Sequence, residues 1–220
     1  MKTHSNARQA LGLALAGFVL FGTANAYAED NSVAIVEDTS GAIAGIEPLD
    51  LLRAGREIEL AADAGLILSY LNSCQRENIR GGKITIGHGQ SEVKGGNVTR
   101  KRVPCDPAAL DLTPEQANQS ATLVFRKPPL EEGAKFLMDS RQPLVIAPHL
   151  KTVKLEDLRH PGKVSSITVV NGVADLTAES GLLDQGGLYQ LSGGGKSVVF
   201  LVGKEATDAP LPILQRAIRL

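Results

Sequence analysis

The stretch "IRGGKITIGHGQSEVKGGNVT", residues 79–99, carries a repeat that predicts β structure and its corners. Its two copies, "IRGGKIT" (79–85) and "VKGGNVT" (93–99), share the order β-branched, basic, Gly, Gly, polar, β-branched, Thr. Glycine adopts positive φ angles at little cost, so each pair suits a corner before a strand. Two short copies are too few for a solenoid, and we predict local β-winding. The predicted structural turns lie at Gly81, Gly82, Gly95 and Gly96.

Short β-branched segments recur downstream of residue 30, separated by glycine or proline. "EIEL" and "KITI" alternate apolar with polar residues, as half-exposed strands do. After its first residue "SVVFLV" is continuously apolar, which is typical of a central strand covered on both faces. This density of strands with turn signals predicts an all-β fold, a sandwich or a barrel. The predicted strands are "VAIV" (33–36), "EIEL" (57–60), "LILSYL" (66–71), "KITIG" (83–87), "ATLVF" (121–125), "LVIA" (144–147), "SSITVV" (165–170) and "SVVFLVG" (197–203).

Helical signals are few. In "LTPEQANQS", Thr113 is placed as an N-cap and Gln116 as its capping-box partner, with room for only a turn or two. The C-terminal "APLPILQRAIRL" has apolar residues at helical spacing, and both a short closing helix and a terminal strand are compatible with it.

A domain boundary is predicted near "FRKPPLEEGAK" (125–135), where two prolines and an acidic pair interrupt the strand pattern. The first predicted domain covers residues 30–126 and holds both cysteines and the glycine repeat. The second covers residues 134–220. Its segment 163–204 predicts three or four antiparallel strands of a smaller immunoglobulin-like β-sandwich.

The N-terminus predicts export. Lys2 and Arg8 form a basic n-region, residues 10–21 form an apolar h-region too short to span a bilayer, and "ANAYA" supplies a cleavage site, so residues 1–28 read as a signal peptide. Removing them changes the formal net charge from −1 to −3. This mildly acidic balance argues against nucleic acid as a partner, and "TRKR" (99–102) is a short basic run in an exported chain.

Cys74 and Cys105 are the only two cysteines. In an oxidising compartment such a pair forms a disulfide, and we predict one here. A thiol nucleophile would need a nearby histidine, and a metal site would need ligands at short regular spacing. Neither is found locally, and there is no C-x-x-C redox motif.

No motif predicts catalysis or a cofactor. Gly195-Lys196-Ser197 ends like a phosphate-binding loop, but Gln190 stands where that motif needs its first glycine. His88, His149 and His160 show no paired spacing, and adjacent carboxylates point to opposite faces of a strand. We therefore predict no catalytic, cofactor-binding or metal-ligating residues and no enzymatic activity.

Residues 51–96 have an ordered set of parts: Gly55 before a charged strand, a small-residue turn, "LILSYL", then "GGKITIG", Ser91 and a second double glycine. This order resembles a FecR-type periplasmic β-domain, which is how we assign residues 30–126. The resemblance implies a binding role in envelope signalling or scaffolding, without catalysis. FecR-type sigma regulators carry a cytoplasmic segment and a transmembrane helix before that domain, whereas this chain starts with a predicted signal peptide. We therefore expect action through another envelope protein.

The leading hypothesis is a soluble periplasmic binding or accessory protein that contacts another envelope protein or a cell-wall component. One alternative is an envelope-polymer hydrolase whose cleft would gather Glu77, Glu92 and His88. Another is a structural subunit of a surface assembly that donates the apolar strand at 197–203 to a neighbour.

Overall fold

A computed structural model describes residue 1 and residues 32–113, 115–116, 130 and 133–220. The predicted signal peptide after Met1 and the predicted strand at 121–125 lie outside these residues. The described chain is built mainly from strands, which confirms the predicted all-β fold, and neither of its two short helices is long and apolar enough to cross a membrane. The strands are β1 (Ser32–Ser40), β2 (Leu51–Arg53), β3 (Glu57–Tyr70), β4 (Gln75–Ile86), β5 (Ser91–Lys94), β6 (Asn97–Arg102), β7 (Phe136–Ser140), β8 (Leu144–Ile146), β9 (Thr152–Asp157), β10 (Val164–Thr168), β11 (Val173–Asp175), β12 (Leu188–Gly193), β13 (Lys196–Thr207) and β14 (Ala217–Arg219), and the helices are α1 (Thr177–Ser180) and α2 (Ile213–Arg216).

The first six strands form one sheet in the order β2-β1-β3-β4-β5, with β6 also on β4. Both β5 and β6 run antiparallel to β4, and the two pairings keep a single continuous register. β5 and β6 are therefore two halves of one edge strand, interrupted only by Gly95 and Gly96.

The repeated glycine pairs form a bend in the sheet. Gly81 and Gly82 lie inside β4, which corrects the predicted turn there, while Gly95 and Gly96 do lie between two strands. The β4 register places Gly96 opposite Gly81 and Gly95 opposite Gly82. A Cβ atom on Gly96 would lie only 2.0 Å from the Gly81 carbonyl oxygen, so the two backbones approach each other where no side chain fits. φ is positive at Gly81, Gly82 and Gly95, as predicted, and not at Gly96.

The bend continues into β3 as a bulge. Leu60 pairs with Gly82 and Gly65 pairs with Arg80, so five steps along β3 match two along β4. The four residues of β3 between these pairs, 61–64, are alanine except for Asp63, and a bulge sharpens the local twist of a strand. The predicted strands "EIEL" and "LILSYL" are thus one strand with a bulge between them, where a turn had been expected.

The bent sheet folds over on itself and encloses a core. Ser91 pairs with Ile86, nine residues along β4 from Glu77, yet the backbone N–H of Ser91 reaches the Glu77 carboxylate. The two halves of the sheet therefore face each other as a sandwich. The buried apolar side chains of this core come mainly from β1, β3 and β4, among them Val36, Ile58, Leu60, Leu66, Leu68, Tyr70, Ile79, Ile84 and Ile86.

The second part of the chain contains a five-stranded sheet, β10-β9-β12-β13-β7, and a three-stranded sheet, β11-β8-β14. β10, β12 and β13 lie within 163–204, where antiparallel strands were predicted, and they form an antiparallel array with β9, whereas β11 belongs to the other sheet. β7 pairs parallel to β13 and β14 pairs parallel to β8, additions that an antiparallel sandwich lacks. β13 holds the predicted central strand "SVVFLV" and has a neighbour on each side.

The two parts of the chain share a third buried cluster, which lies between the first sheet and β8, β11 and β14. Ile35, Leu71 and Cys74 from the first part belong to this cluster together with Ile146 and Leu214 from the second. The predicted boundary near 126–134 lies mostly outside the described residues and stays a prediction.

The two helical signals of the sequence both have counterparts in the structure. The C-terminus forms the short helix α2 and then the strand β14, so the helical and extended alternatives each describe part of it. Thr113 and Gln116 exchange hydrogen bonds, from Thr113 N to Gln116 Oε1 at 2.9 Å and from Gln116 N to Thr113 Oγ1 at 3.4 Å, which confirms the capping box.

Candidate functional site

A buried carboxylate, Glu77, forms an ion pair with the partly exposed Arg100 in the first sandwich. Glu77 shares the inner face of β4 with Ile79, because alternate residues of a strand point to the same side. Its side chain is completely buried. The carboxylate accepts hydrogen bonds from Arg100 Nε at 2.7 Å and from Ser91 N at 3.1 Å, and Arg100 Nη2 donates to Ser91 O at 2.6 Å. The network therefore joins β4, β5 and β6 across the glycine bend.

Tyr70 extends this network. Its hydroxyl lies 2.8 Å from Ser91 Oγ, and its ring is fully buried. Burial raises the pKa of Tyr70 to about 12, because the charged phenolate would lose its hydration, and the negative charge of Glu77 adds to the rise. The hydroxyl is consequently held neutral as a structural hydrogen-bonding group.

A second carboxylate, Glu37, links the two parts of the chain. Its Oε1 atom accepts hydrogen bonds from Ser69 Oγ at 2.6 Å and from Ile213 N at 3.0 Å, and its Oε2 atom forms a salt bridge with Arg76. The Ile213 contact orients the start of α2 against the first sheet. Close by, burial lowers the pKa of Arg216, which donates to the backbone oxygens of Leu211 and Gln142.

A third carboxylate, Asp157, pairs with His160 beside a small cavity. Asp157 Oδ2 lies 2.8 Å from His160 Nδ1, and Asp157 Oδ1 accepts hydrogen bonds from the Arg159 and His160 backbone N–H groups. Burial by itself would raise the pKa of Asp157, but these hydrogen bonds outweigh it, so the pKa lies below its ordinary value. The carboxylate is engaged by its own turn and is not free for a ligand.

The cavity next to Asp157 has a volume of about 140 Å³ and lies between β9, β10, β12 and the segment after α1. Tyr189, whose pKa is raised by burial, accepts a hydrogen bond there from the Asp184 N–H. His160 is not among its lining residues. The polar lining residues are Asp157, Lys163, Ser165, Ser180, Asp184 and Tyr189.

The three residues of the hydrolase hypothesis do not meet in one cleft. Glu77 is buried and ion-paired, whereas Glu92 is exposed and forms a surface salt bridge with Lys94. His88 is exposed in the short connection between β4 and β5. His149 lies in the connection between β8 and β9. Within the part of the chain that the structure describes, no three His, Cys, Asp or Glu side chains are grouped to hold a metal ion.

The predicted disulfide is present. Cys74 and Cys105 are bonded, with their Cα atoms 6.0 Å apart, and Cys74 is completely buried in the cluster shared by the two parts. Cys74 has a φ of 53° in the tight connection between β3 and β4. The bond ties this connection to the segment that leaves β6. Cys74 is therefore a structural residue.

Unpaired positive charge collects on the outermost strand, Asn97–Arg102, which we call the β6 edge. Every residue of it except Val98 is exposed. Arg100 is engaged by Glu77, but no salt bridge holds Lys101 or Arg102 among the residues that the structure describes. The sequence shows this run as "TRKR", and the structure adds that it is an open strand of a sheet.

The Glu77–Arg100 pair was missed in the sequence, although a signal for it was available. "QRENIRGG" places Glu77 two residues before Ile79, on the face that the alternation assigns to the core. Aligning the two glycine pairs opposite each other also brings Arg100 opposite Glu77.

Comparison with protein-family models, with curated proteins and with solved structures finds no match to this chain.

Proposed function

We propose that the mature chain is an exported, periplasmic binding or accessory protein that works by contact with another envelope protein or a cell-wall component. The distribution of charge carries this proposal. The three buried carboxylates, Glu37, Glu77 and Asp157, are each satisfied by groups of this chain. On the β6 edge, by contrast, the adjacent exposed cations Lys101 and Arg102 have no salt bridge within the described residues. Such a surface is suited to recognition, since exposed charge is available to a partner and steers its approach.

Two further observations support the proposal. The disulfide between Cys74 and Cys105 suits an oxidising compartment, in agreement with the signal-like N-terminus. The shared cluster between the two parts contains Cys74, so the bond stabilises the junction between them. The FecR-like order of strands also points to an envelope role and stays a prediction.

The test is capture of a partner. The full chain, expressed with its own N-terminus and a C-terminal tag, is recovered from the periplasmic fraction, crosslinked in intact envelopes and purified. We expect removal of residues 1–26 or 1–28, a non-reduced mass two hydrogen atoms below that of the dithiol, and one reproducibly enriched envelope component. An unrelated exported β protein with the same tag is the control. Retention in the cytoplasm, or no enrichment above this control, would contradict the proposal.

A further inference from the structure

The β6 edge is an open strand. β6 pairs with β4 and with no other strand in the described ranges. The Val103 N–H donates to Cys74 O, which sets the phase of the antiparallel ladder. Bonded pairs alternate with unbonded ones in such a ladder, so the peptide groups of Val98, Arg100 and Arg102 point away from β4. The strand can therefore accept the backbone of another chain.

The side chains of this edge decide which chain can pair with it. Arg100 is held by Glu77, so Lys101 and Arg102 are the cations available at the end of the strand. Two successive residues lie on opposite faces of a strand, so an added strand meets a positive charge on either face. Cross-strand pairs of opposite charge are stabilising, and like charges directly opposite each other are not.

A second copy of this chain is therefore a poor occupant. Two β6 edges placed side by side would bring the basic run of one copy against that of the other, the arrangement by which charged edges prevent self-association. The same charges favour an extended segment with acidic side chains.

We propose that the β6 edge docks an extended, acidic segment of a partner protein by strand addition, with backbone hydrogen bonds to the free peptide groups and acidic side chains opposite Lys101 and Arg102. This inference rests on the proposed function and names the surface and the chemistry of the partner.

The probe is an acetylated and amidated peptide, Thr-Val-Val-Glu-Glu-Val-Thr, whose two adjacent glutamates lie on opposite faces of an added strand. A matched peptide of the same charge carries N-methyl groups on alternate residues, so one of its edges has no backbone N–H groups to donate. Binding to the full mature chain is measured by calorimetry at low ionic strength. We expect the unmodified peptide to bind about tenfold more tightly than the N-methylated one, because only the former completes the ladder.

The variant is the double charge reversal Lys101→Glu with Arg102→Glu. Its matched control, Lys151→Glu with Lys154→Glu, makes the same charge change on exposed residues in and beside β9. We expect the first to weaken peptide binding about tenfold, since two attractive pairs become repulsive, and the control to stay within about twofold. Far-UV circular dichroism and the thermal midpoint verify that both variants fold.

Three outcomes would overturn the inference: no binding of the peptide to the wild-type chain, equal binding of the N-methylated peptide, or equal loss in the control variant. Equal binding of both peptides would assign the edge to polyanions in general. If the charge-reversed chain still captures the same envelope component as the wild type, the β6 inference fails while the proposed function stands. If the wild type captures nothing, the proposed function itself fails.

Discussion

Replacing Gly96 by alanine should unfold the bend on which the first sandwich depends. The new Cβ would lie 2.0 Å from Gly81 O, 2.7 Å from Gly81 C and 3.0 Å from Arg80 O. All three are backbone atoms of β4, which is paired on both sides, so they cannot move aside as the end of a flexible side chain could. φ at Gly96 is not in the positive range, so the cost is steric.

The expected loss of stability follows from the strand pairing that the new methyl group disrupts. Separating the strands by more than 1 Å weakens the two flanking pairs, Arg80 with Asn97 and Lys83 with Lys94. Overpacking costs about 1–3 kcal/mol and each weakened ladder bond about 0.5–1.5 kcal/mol, so we expect about 4 kcal/mol in total. For a chain of this length that corresponds to a fall of about 8–16 °C in the thermal midpoint.

Gly95→Ala is the matched control. A Cβ at Gly95 has nothing within 4 Å, so this variant meets only the cost of its positive φ, about 1–2 kcal/mol. The chain has no tryptophan, so urea unfolding is followed by far-UV circular dichroism. If Gly96→Ala is no less stable than Gly95→Ala, close backbone approach is not what these glycines provide.

Three more predictions concern the disulfide and the buried network. Compared with the wild type, Cys74→Ser should have a lower thermal midpoint in oxidising buffer and the same midpoint in full reductant. The chain-entropy estimate for a bond across 31 residues is about 3–4 kcal/mol. Equal midpoints of variant and wild type in both buffers would contradict a stabilising bond. Glu77→Gln should lower the free energy of unfolding in urea by about 2–3 kcal/mol, because it leaves Arg100 without its counter-charge. Glu92→Gln, in the exposed pair, should lower it by less than about 0.5 kcal/mol. Similar losses for the two variants would refute the role of burial. Burial raises the pKa of Tyr70 to about 12, so the stability that its neutral hydroxyl contributes is complete below about pH 10 and is lost, by about 2–3 kcal/mol, as the pH rises toward 12. Across this window the free energy of unfolding should fall more steeply with pH for the wild type than for Tyr70→Phe. Parallel curves would show that Tyr70 is not the group involved.

The identity of most strands follows from local residue preferences. Alternation and β-branching in "KITIG" and "SVVFLV" predict strands without any knowledge of neighbours, because the strand period of two is written in successive residues. The cysteine pair is likewise readable from the sequence, since the two cysteines of a chain predicted to be exported are expected to bond to each other.

The surface proposed for binding was visible only in part. "TRKR" is evident as a basic run, but its place at an open edge depends on the order of strands in the sheet. Whether a positive charge is free or already paired depends on cross-strand neighbours, and Arg100 differs from Lys101 in this respect only because Glu77 lies opposite it.

The sequence by itself determined that this chain is all-β, that Cys74 and Cys105 pair, and that Gly81, Gly82 and Gly95 have positive φ. Tertiary structure alone decided what those glycines do. Gly81 faces Gly96 across two strands, and together they fold one sheet into a sandwich around Glu77. Residues that are distant in the chain set this geometry, because the sheet can bend only where the backbones of two neighbouring strands approach each other at paired positions. The repeat that predicts two separate turns in the sequence forms a single corner of the folded sheet.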